Sequence, residues 1–352
     1  MYEVRVEPTG DVVEVEEGQT ILDASLRQGV WLPFACGHGT CGTCKVQVLE
    51  GDADVGNASP FALMDMEREE GKVLACCAIP ESDLVIEADI DVDPDFMGYP
   101  IEDYQATVTA IEDLSPTIKG IRFELDHPMQ FQAGQYVNLQ LPGVEGARAF
   151  SIANKPSENT VVELHVRHVP GGAGTGYIHE KLQVGDTLDL SGPYGQFFVR
   201  KSATEDLIFI AGGSGLSSPQ SMVLDLLEQG DSRKITLLQG ARNLGELYNR
   251  ELFERLASEH ESFTYVPALD APLEQDNWQG FTGYVHEAAI DHFGGQFAGH
   301  KAYLCGPPPM IDAAITALMQ GRLFERDIYM ERFLTAADGA DGGTRSALFK
   351  KI

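Results

Sequence analysis

Three cysteines crowd into the stretch PFACGHGTCGTCKVQV, and they constrain the local fold more than any other feature of the chain. Four residues separate Cys36 from Cys41, and two separate Cys41 from Cys44. Small residues fill the gaps, so the backbone can wrap closely around whatever the thiols hold. A catalytic thiol pair, a structural zinc site and an iron–sulfur cluster are all compatible with this spacing.

A fourth cysteine favours the cluster. Cys76 follows Cys44 after 31 residues, in KVLACCAIP, and completes the spacing of plant-type 2Fe-2S ferredoxins. Two irons bridged by two sulfides need two thiolates each, and Cys36, Cys41, Cys44 and Cys76 would supply them. Structural zinc usually takes two paired-cysteine knuckles, so zinc is the weaker alternative. We expect Cys77 to point to the opposite face of a strand and to pack without binding metal.

The periodicity of the chain predicts three domains, as expected for 352 residues. Two strands, a helix capped by Thr20 and further strands predict an α+β, β-grasp domain over 1–91. An Asp-, Pro- and Gly-rich segment over 92–102 reads as a linker. Short alternating runs over 103–202 predict an antiparallel Greek-key barrel.

Beyond the barrel, strands and helices alternate over 203–352, which predicts a parallel α/β domain ending in a C-terminal tail. The apolar spacing places helices near 217–229, 246–258 and 284–292, with a further helix after the strand KAYLCG.

The acidic composition argues against a nucleic-acid partner, because phosphate binding needs clustered Lys and Arg and the formal net charge is −29. Residues 1–90 hold 18 acidic and five basic residues, a net charge of −13, which leaves a charged protein partner open beside simple solubility. Six cysteines, three of them clustered, fit a reducing compartment. The chain has no long apolar run and no signal-peptide pattern, so we expect a soluble, cytoplasmic protein that does not bind membranes.

These motifs resemble a known family. LPFACGHGTC, ASPFALMD, VLACCAIP and the later DIYMERF are similar to the reductase components of multicomponent phenol hydroxylases. Those proteins join an N-terminal plant-type 2Fe-2S domain to a reductase of the ferredoxin–NADP reductase superfamily. The resemblance covers essentially the whole chain. It implies a 2Fe-2S cluster, an FAD-binding barrel and an NAD-binding α/β domain.

The quartet RAFS, Arg148 to Ser151, offers a guanidinium for a pyrophosphate, an aromatic ring for a flat ligand and a hydroxyl for a ring nitrogen. A buried strand with one surface arginine is the alternative. The resemblance implies FAD, with phenylalanine in place of the more usual tyrosine. It further implies flavin contacts from LHVRHV and diphosphate contacts from GGAGTG, so the expected FAD residues are Arg148, Ala149, Phe150, Ser151, His165, Val166, Arg167, Gly174, Thr175 and Gly176.

A glycine-rich turn, GGSGLSSP, follows the buried strand LIFIAG and opens a helix, an arrangement suited to a pyrophosphate. An ordinary tight turn is the alternative. The resemblance implies an NAD(P) site there, although Ser218 occupies the usual proline position. The expected residues are Gly212, Gly213, Ser214, Gly215, Leu216, Cys305, Gly306 and Pro307.

The resemblance also implies that Ser151, Cys305 and Glu331 line the site of transfer between nicotinamide and flavin. We expect NADH over NADPH, because the segment after KITLLQG has one early arginine, Arg242, with Glu246 nearby, whereas a 2′-phosphate needs more positive charge. Arg250 could join Arg242 in binding that phosphate.

The function implied is an NADH-dependent flavin and iron–sulfur oxidoreductase in aromatic catabolism. NADH would give a hydride to FAD, and FAD would pass single electrons to the cluster and on to the oxygenase component of a phenol hydroxylase. Reductases of toluene, benzoate or methane oxygenases would share every motif. A redox-sensing or zinc-stabilised nucleotide-binding protein without turnover is the rival from another class.

Overall fold

The computed structural model describes residues 1–90 and 93–333. One compact unit runs up to Glu102, and a second begins at Asp103. Residues 91 and 92, at the predicted domain–linker boundary, and the residues from 334 onward, which include the predicted C-terminal tail, lie outside the described part. None of the described helices combines the length and apolar character that a membrane crossing requires.

The first unit is the predicted β-grasp domain. In its main sheet the strand order is β2-β1-β7-β3-β5, with β1 and β7 parallel, and β4 pairs separately with β6. Its elements are β1 (Tyr2–Glu7), β2 (Asp11–Val15), α1 (Ile21–Arg27), β3 (Lys45–Glu50), β4 (Ala53–Asp54), α2 (Asp65–Glu69), β5 (Lys72–Leu74), β6 (Ile79–Pro80) and β7 (Leu84–Glu87).

Helix α1 begins where the sequence predicts. The Thr20 side chain accepts a hydrogen bond from the Asp23 amide at 3.3 Å, which satisfies one of the free donors at the helix start. The helix buries Ile21, Leu22 and Leu26. The described part of the predicted linker also contacts this unit, since the Ile101 amide donates to the Leu26 carbonyl at 3.1 Å.

The second unit starts with the predicted antiparallel barrel. Its strand order is β11-β10-β13-β8-β9-β12, and a bridge between Ile152 and Leu164 connects the two ends of the sheet. The elements are β8 (Glu102–Ser115), β9 (Ile118–Leu125), β10 (Tyr136–Leu139), β11 (Arg148–Ser151), β12 (Val161–Arg167), α3 (Ala173–Glu180) and β13 (Thr187–Tyr194). The interior is apolar, with Phe123 and Val137 fully buried.

The remainder is the predicted parallel α/β fold, with strand order β17-β16-β15-β14-β18-β19. Its strands are β14 (Asp206–Gly212), β15 (Ile235–Ala241), β16 (Phe263–Leu269), β17 (Phe281–Thr282), β18 (His300–Gly306) and β19 (Ile328–Arg332). Its α-helices are α4 (Ser217–Glu228), α5 (Arg250–Glu259), α6 (Val285–Phe293) and α7 (Pro308–Gln320). Short 3-10 turns cover Gly213–Leu216, Leu244–Glu246, Glu274–Asp276 and Glu325–Asp327.

Helices α4 and α6 lie close to their predicted positions, but α5 starts four residues later than expected. Asn243 caps a short 3-10 turn by accepting from the Glu246 amide at 3.3 Å. Asn249 then adopts a left-handed conformation with φ of 56°. Asparagine tolerates that conformation better than most residues. The left-handed Asn249 ends the turn and separates it from helix α5. Apolar periodicity cannot register such a break.

Candidate functional site

The cysteines meet through the register of two strands. Antiparallel β3 and β5 pair Lys45 with Leu74, so Cys44, just before β3, lies beside the turn that follows β5. The Ala75 amide donates to the Cys44 carbonyl at 2.8 Å, which fixes Cys76 next to the loop that carries Cys36 and Cys41. Cys44 and Cys76, 32 positions apart in the chain, are thereby neighbours in space.

Glycines make room around these thiols. Gly39 has φ of +79°, and a Cβ there would lie 2.6 Å from the Cys77 sulfur and 3.3 Å from the Asn57 carbonyl oxygen. Gly42 has φ of +73°, and its Cβ would lie 3.1 Å from the Ala62 carbonyl oxygen. The loop therefore needs glycine at both positions, for conformation and for space. Four free thiols on this loop and the adjoining turn are the donor set that a 2Fe-2S cluster takes.

The hydrogen bonds in the loop favour thiolates, which are the form that binds metal. Burial raises the pKa of the Cys36 thiol, but bonds from the His38 backbone, the Cys41 side chain and Thr40 outweigh it and bring the pKa down to about 6. A hydrogen bond from Cys76 lowers the pKa of Cys44 to about 7. As the donor in that bond, Cys76 has a raised pKa.

Cys77 does not point away from the loop, so that expectation is wrong. Residues 75–77 form a turn and not a strand, with the Cys77 amide bonded to the Leu74 carbonyl. Strand alternation therefore does not apply, and the Cys77 sulfur lies 3.7 Å from that of Cys76 and against Gly39. The choice of Cys76 over Cys77 as fourth ligand stays a prediction.

A large cavity of about 870 Å³ lies in the second unit. Its wall combines the strand RAFS, the strand LHVR and the turns that follow β14 and β18. The predicted residues that line it are Arg148, Ala149, Phe150, Ser151, His165, Val166, Arg167, Gly174, Thr175, Gly212, Ser214, Pro307 and Glu331. The predicted flavin and nicotinamide motifs thus face one space, whose size fits a dinucleotide.

Ser151 and Glu331 line this cavity with the buried Cys305 beside Glu331, although the three come from β11, β18 and β19. The Ser151 hydroxyl donates to Glu331 Oε2 at 3.1 Å, and the Cys305 sulfur lies 3.7 Å from the same oxygen. Ser218, at the start of α4, also donates to Glu331 Oε2, at 3.0 Å. Sequence reasoning noted Ser218 only as an exchange for proline. The sequence offered one signal for a role of Ser218, namely a hydroxyl next to the glycine-rich turn at the start of a helix.

The buried surroundings of Cys305 and Glu331 favour the protonated form of both side chains. Burial raises the pKa of Glu331, and the bonds from Ser218 and Ser151 offset this only in part. Burial, together with the negative charge of Glu331, also raises the pKa of Cys305 far above its usual range. Cys305 is therefore a protonated thiol, and Glu331 is a carboxyl that keeps its proton to higher pH than an exposed glutamate does.

The sequence matches three domain families, in the same order along the chain as the β-grasp domain, the barrel and the α/β domain. Residues 4–81 match the 2Fe-2S iron-sulfur cluster binding domain, 105–199 the oxidoreductase FAD-binding domain and 209–316 the oxidoreductase NAD-binding domain. The chain is also 72% identical over 351 residues to the reductase component of phenol 2-monooxygenase from Pseudomonas sp. (strain CF600), covering 100% of this chain and 99% of that one. It belongs to the phenol hydroxylase reductase family.

Further relatives agree with this assignment. The phenol hydroxylase P5 protein of Acinetobacter pittii is 70% identical, over 100% of this chain and 99% of that protein. Among solved structures, the Amycolatopsis reductase GcoB matches with a TM-score of 0.84 and 36% identity, covering 95% of this chain and 99% of that one. The ferredoxin reductase in carbazole 1,9a-dioxygenase matches with a TM-score of 0.75 and 26% identity, over 95% and 98%. This reductase is therefore an NAD-, FAD- and 2Fe-2S-dependent oxidoreductase.

Two residues expected to bind the FAD phosphates of the reductase are held by their own loops. Arg148 donates from Nη1 to the carbonyls of Glu145, Gly146 and Ala147, at 2.9 to 3.2 Å. Thr175 Oγ1 accepts from the Val169 amide at 3.1 Å. A Cβ on Gly174 would lie 2.9 Å from Arg148 Cγ, so the start of α3 packs closely on the arginine stem. The arginine and the helix N-terminus consequently border the same end of the cavity.

Some predicted residues of the reductase do not line the cavity: Gly176, Gly213, Gly215, Leu216, Cys305 and Gly306. Gly215 packs so tightly that a Cβ would lie 2.5 Å from the Cys305 carbonyl oxygen. Tyr136 and Phe333 line the cavity but were not predicted. Tyr136 stacks on Tyr194 with ring centroids 5.5 Å apart. Its strand AGQYVNL gave the only sequence signal, an aromatic residue two positions after a glycine.

His165 links the barrel of the reductase to its α/β part. Its Nδ1 lies 3.2 Å from the Tyr248 hydroxyl, and its Nε2 lies 3.0 Å from Glu163 Oε1. Tyr248 donates in turn to the Gly213 carbonyl at 3.2 Å. His165 therefore positions the nicotinamide turn relative to the flavin strand, a role beyond the direct contact expected from the sequence.

Two side chains that entered the sequence argument for NADH have partners within the second unit. Glu246 Oε2 accepts hydrogen bonds from Ser115 and Thr117, both at 2.8 Å, so the barrel engages this carboxylate. Arg250 forms an exposed ion pair with Glu254 at 2.6 Å, and such surface pairs are weak. The preference for NADH over NADPH stays a prediction.

Proposed function

We propose that this reductase takes electrons from NADH and delivers them to the oxygenase component of a phenol hydroxylase. The observation that carries the proposal is the cavity of about 870 Å³, in which the RAFS strand and the GGSG turn face each other across Glu331. When bound, FAD accepts two electrons from NADH and releases them one at a time toward the 2Fe-2S cluster.

Arg148 and the N-terminus of α3 would hold the FAD diphosphate, by charge and by free backbone amides. Phe150 would lie against the flat ring, and Ser151 would meet a ring nitrogen. The turn at Gly212 to Gly215 would receive the pyrophosphate of NADH, because Gly212 and Ser214 line the cavity.

Glu331 would organise the site where nicotinamide and flavin meet. Its Oε2 accepts from both Ser151 and Ser218, so it fixes two hydroxyls from different parts of the fold. Its raised pKa lets it hold a proton within reach of Ser151. Cys305 would lie behind Glu331 as a neutral thiol, which adds no charge beside the nicotinamide site.

Cys36, Cys41, Cys44 and Cys76 would bind the cluster. The lowered pKa values of Cys36 and Cys44 support these two as ligands, because thiolates are the binding form. The place of Cys76 beside Cys44 supports the fourth position. The positions of the three domains, 1–91, 103–202 and 203–352 with a linker at 92–102, are part of the proposal. The matched segments 4–81, 105–199 and 209–316 support these positions.

Phenol hydroxylase is favoured over other oxygenase partners by the identities of the relatives. Two full-length relatives at 72% and 70% carry that description, whereas reductase components of propane 2-monooxygenases reach 33%. We place the protein in the cytoplasm, since free thiols in the cluster loop need a reducing compartment.

Reconstitution tests the proposal. The purified holoprotein should support NADH-driven phenol hydroxylation with the oxygenase component of a phenol hydroxylase and should reduce cytochrome c with NADH. Cytochrome c reduction without phenol hydroxylation, together with turnover by a toluene or benzoate oxygenase, would refute the choice of partner. A colourless protein that carries zinc would refute the whole scheme.

A further inference from the structure

A patch of exposed apolar side chains follows the first cysteine loop in sequence. Phe61 is 98% exposed, Met66 63% and Met64 53%. Single exposed apolar residues are common, but three within six positions, one of them a phenylalanine fully in water, are not. We call Phe61, Met64 and Met66 the apolar patch.

The patch adjoins the cysteine loop in space. The Ser59 amide donates to the Gly39 carbonyl at 3.0 Å, and the Ala62 carbonyl lies against Gly42. Phe61 is therefore at the tip of a turn whose two arms touch the loop between the proposed ligands. A protein surface that covers one will contact the other.

The turn is held rigid, although nothing in the described residues covers its tip. Arg68 donates to the Ala58 carbonyl at 2.8 Å and to the Leu63 carbonyl at 3.3 Å, which ties the two arms together. Glu67 binds Lys45 at 2.5 Å and accepts from the Met64 amide at 3.0 Å. A turn whose backbone is fixed before binding loses little entropy when a partner covers it.

The charges around the patch indicate what that partner carries. Asp65, Glu69 and Glu70 are exposed beside the two methionines, and residues 1–90 have a net charge of −13. A second copy of this chain would bring the same charges and be repelled. A basic surface would be attracted, and methionine side chains adapt to irregular apolar surfaces.

We propose that the apolar patch is the anchor by which the oxygenase component docks over the cluster. Phe61 enters an apolar depression on that component, Met64 and Met66 cover its edge, and the acidic residues face Lys and Arg at its rim. The inference rests on the proposed function, since a partner that takes electrons from the cluster has to come close to this loop.

The test uses full-length holoprotein with the substitution Phe61→Ser, and Phe324→Ser as the matched control. Phe324 is also exposed, at 56%, but belongs to the second unit. NADH-driven turnover is measured at increasing concentrations of oxygenase component. We expect Phe61→Ser to raise the KM for that component about tenfold or more, as for an interface anchor, and Phe324→Ser to leave it unchanged.

Stopped-flow reduction of the cluster by NADH reports the internal step, and it should be the same in wild type and both variants. An unchanged KM in Phe61→Ser would overturn the proposal, as would slower cluster reduction, which would assign the patch to internal transfer. Self-association of the wild type that Phe61→Ser abolishes would assign it to a second copy. Absence of turnover in the wild type would refute the proposed function itself.

Discussion

The glycine cradle allows a controlled perturbation of the cluster loop, the pair Gly37→Ala and Gly39→Ala. Both glycines are left-handed, with φ of +70° and +79°, so each substitution should cost about 1–2 kcal/mol for the backbone alone. A Cβ at Gly37 has nothing within 4 Å, whereas one at Gly39 lies 2.6 Å from the Cys77 sulfur. Overpacking of this kind adds about 1–3 kcal/mol. Gly39→Ala should therefore destabilise the loop by about 2–5 kcal/mol, and Gly37→Ala by only about 1–2 kcal/mol.

The assay follows the visible absorbance and iron content of the purified holoprotein during denaturant unfolding. We expect cluster loss at a lower midpoint for Gly39→Ala than for Gly37→Ala. Because the clashing atom is the Cys77 sulfur, the double variant Gly39→Ala/Cys77→Ala should recover most of the difference. Equal midpoints for the two single variants would refute the steric argument. A double variant as unstable as Gly39→Ala would show that the contact with Cys77 is not the cause.

Four further outcomes are expected. Cys76→Ser should abolish the iron–sulfur absorbance and Cys77→Ser should retain it, and the reverse result would exchange the two assignments. Arg148→Ala should weaken FAD binding by roughly 1.5–3 kcal/mol, about ten- to a hundredfold, so normal flavin retention after dialysis would contradict its role. Because its folded pKa is raised, Glu331 should lower stability as pH rises from the ordinary glutamate range through that pKa, and Glu331→Gln should remove this dependence. Melting temperatures across pH test this, with parallel curves as the contrary result. Added salt should slow electron delivery to the oxygenase, since rim charges are screened over about 8–10 Å, and it should leave NADH reduction of the flavin nearly unchanged. Stopped-flow kinetics measure both rates. If the two rates respond alike to salt, the acidity serves only solubility.

Most of the fold and the cofactors could be predicted from local patterns in the sequence. The cysteine spacing indicated the cluster because four thiolates must reach two irons, a requirement on short segments of chain. Strand alternation in the barrel and strand–helix alternation beyond it followed from the two periodicities of regular structure. The start of α5 was misplaced, because the left-handed Asn249 is a conformational choice that apolar spacing does not encode.

The sequence by itself therefore determined which chemical groups the protein has: the thiol cluster, the RAFS strand and the glycine-rich turn. Only the tertiary structure decided which of them meet. Ser151, Ser218, Cys305 and Glu331 come from four separate segments, and they converge because strand order in the sheet and packing against the barrel bring them together. Cys77 faces the cluster loop because its chain turns there and does not continue as a strand. Phe61 is exposed for the same kind of reason, since burial depends on contacts between distant segments, and residue type alone does not specify those contacts.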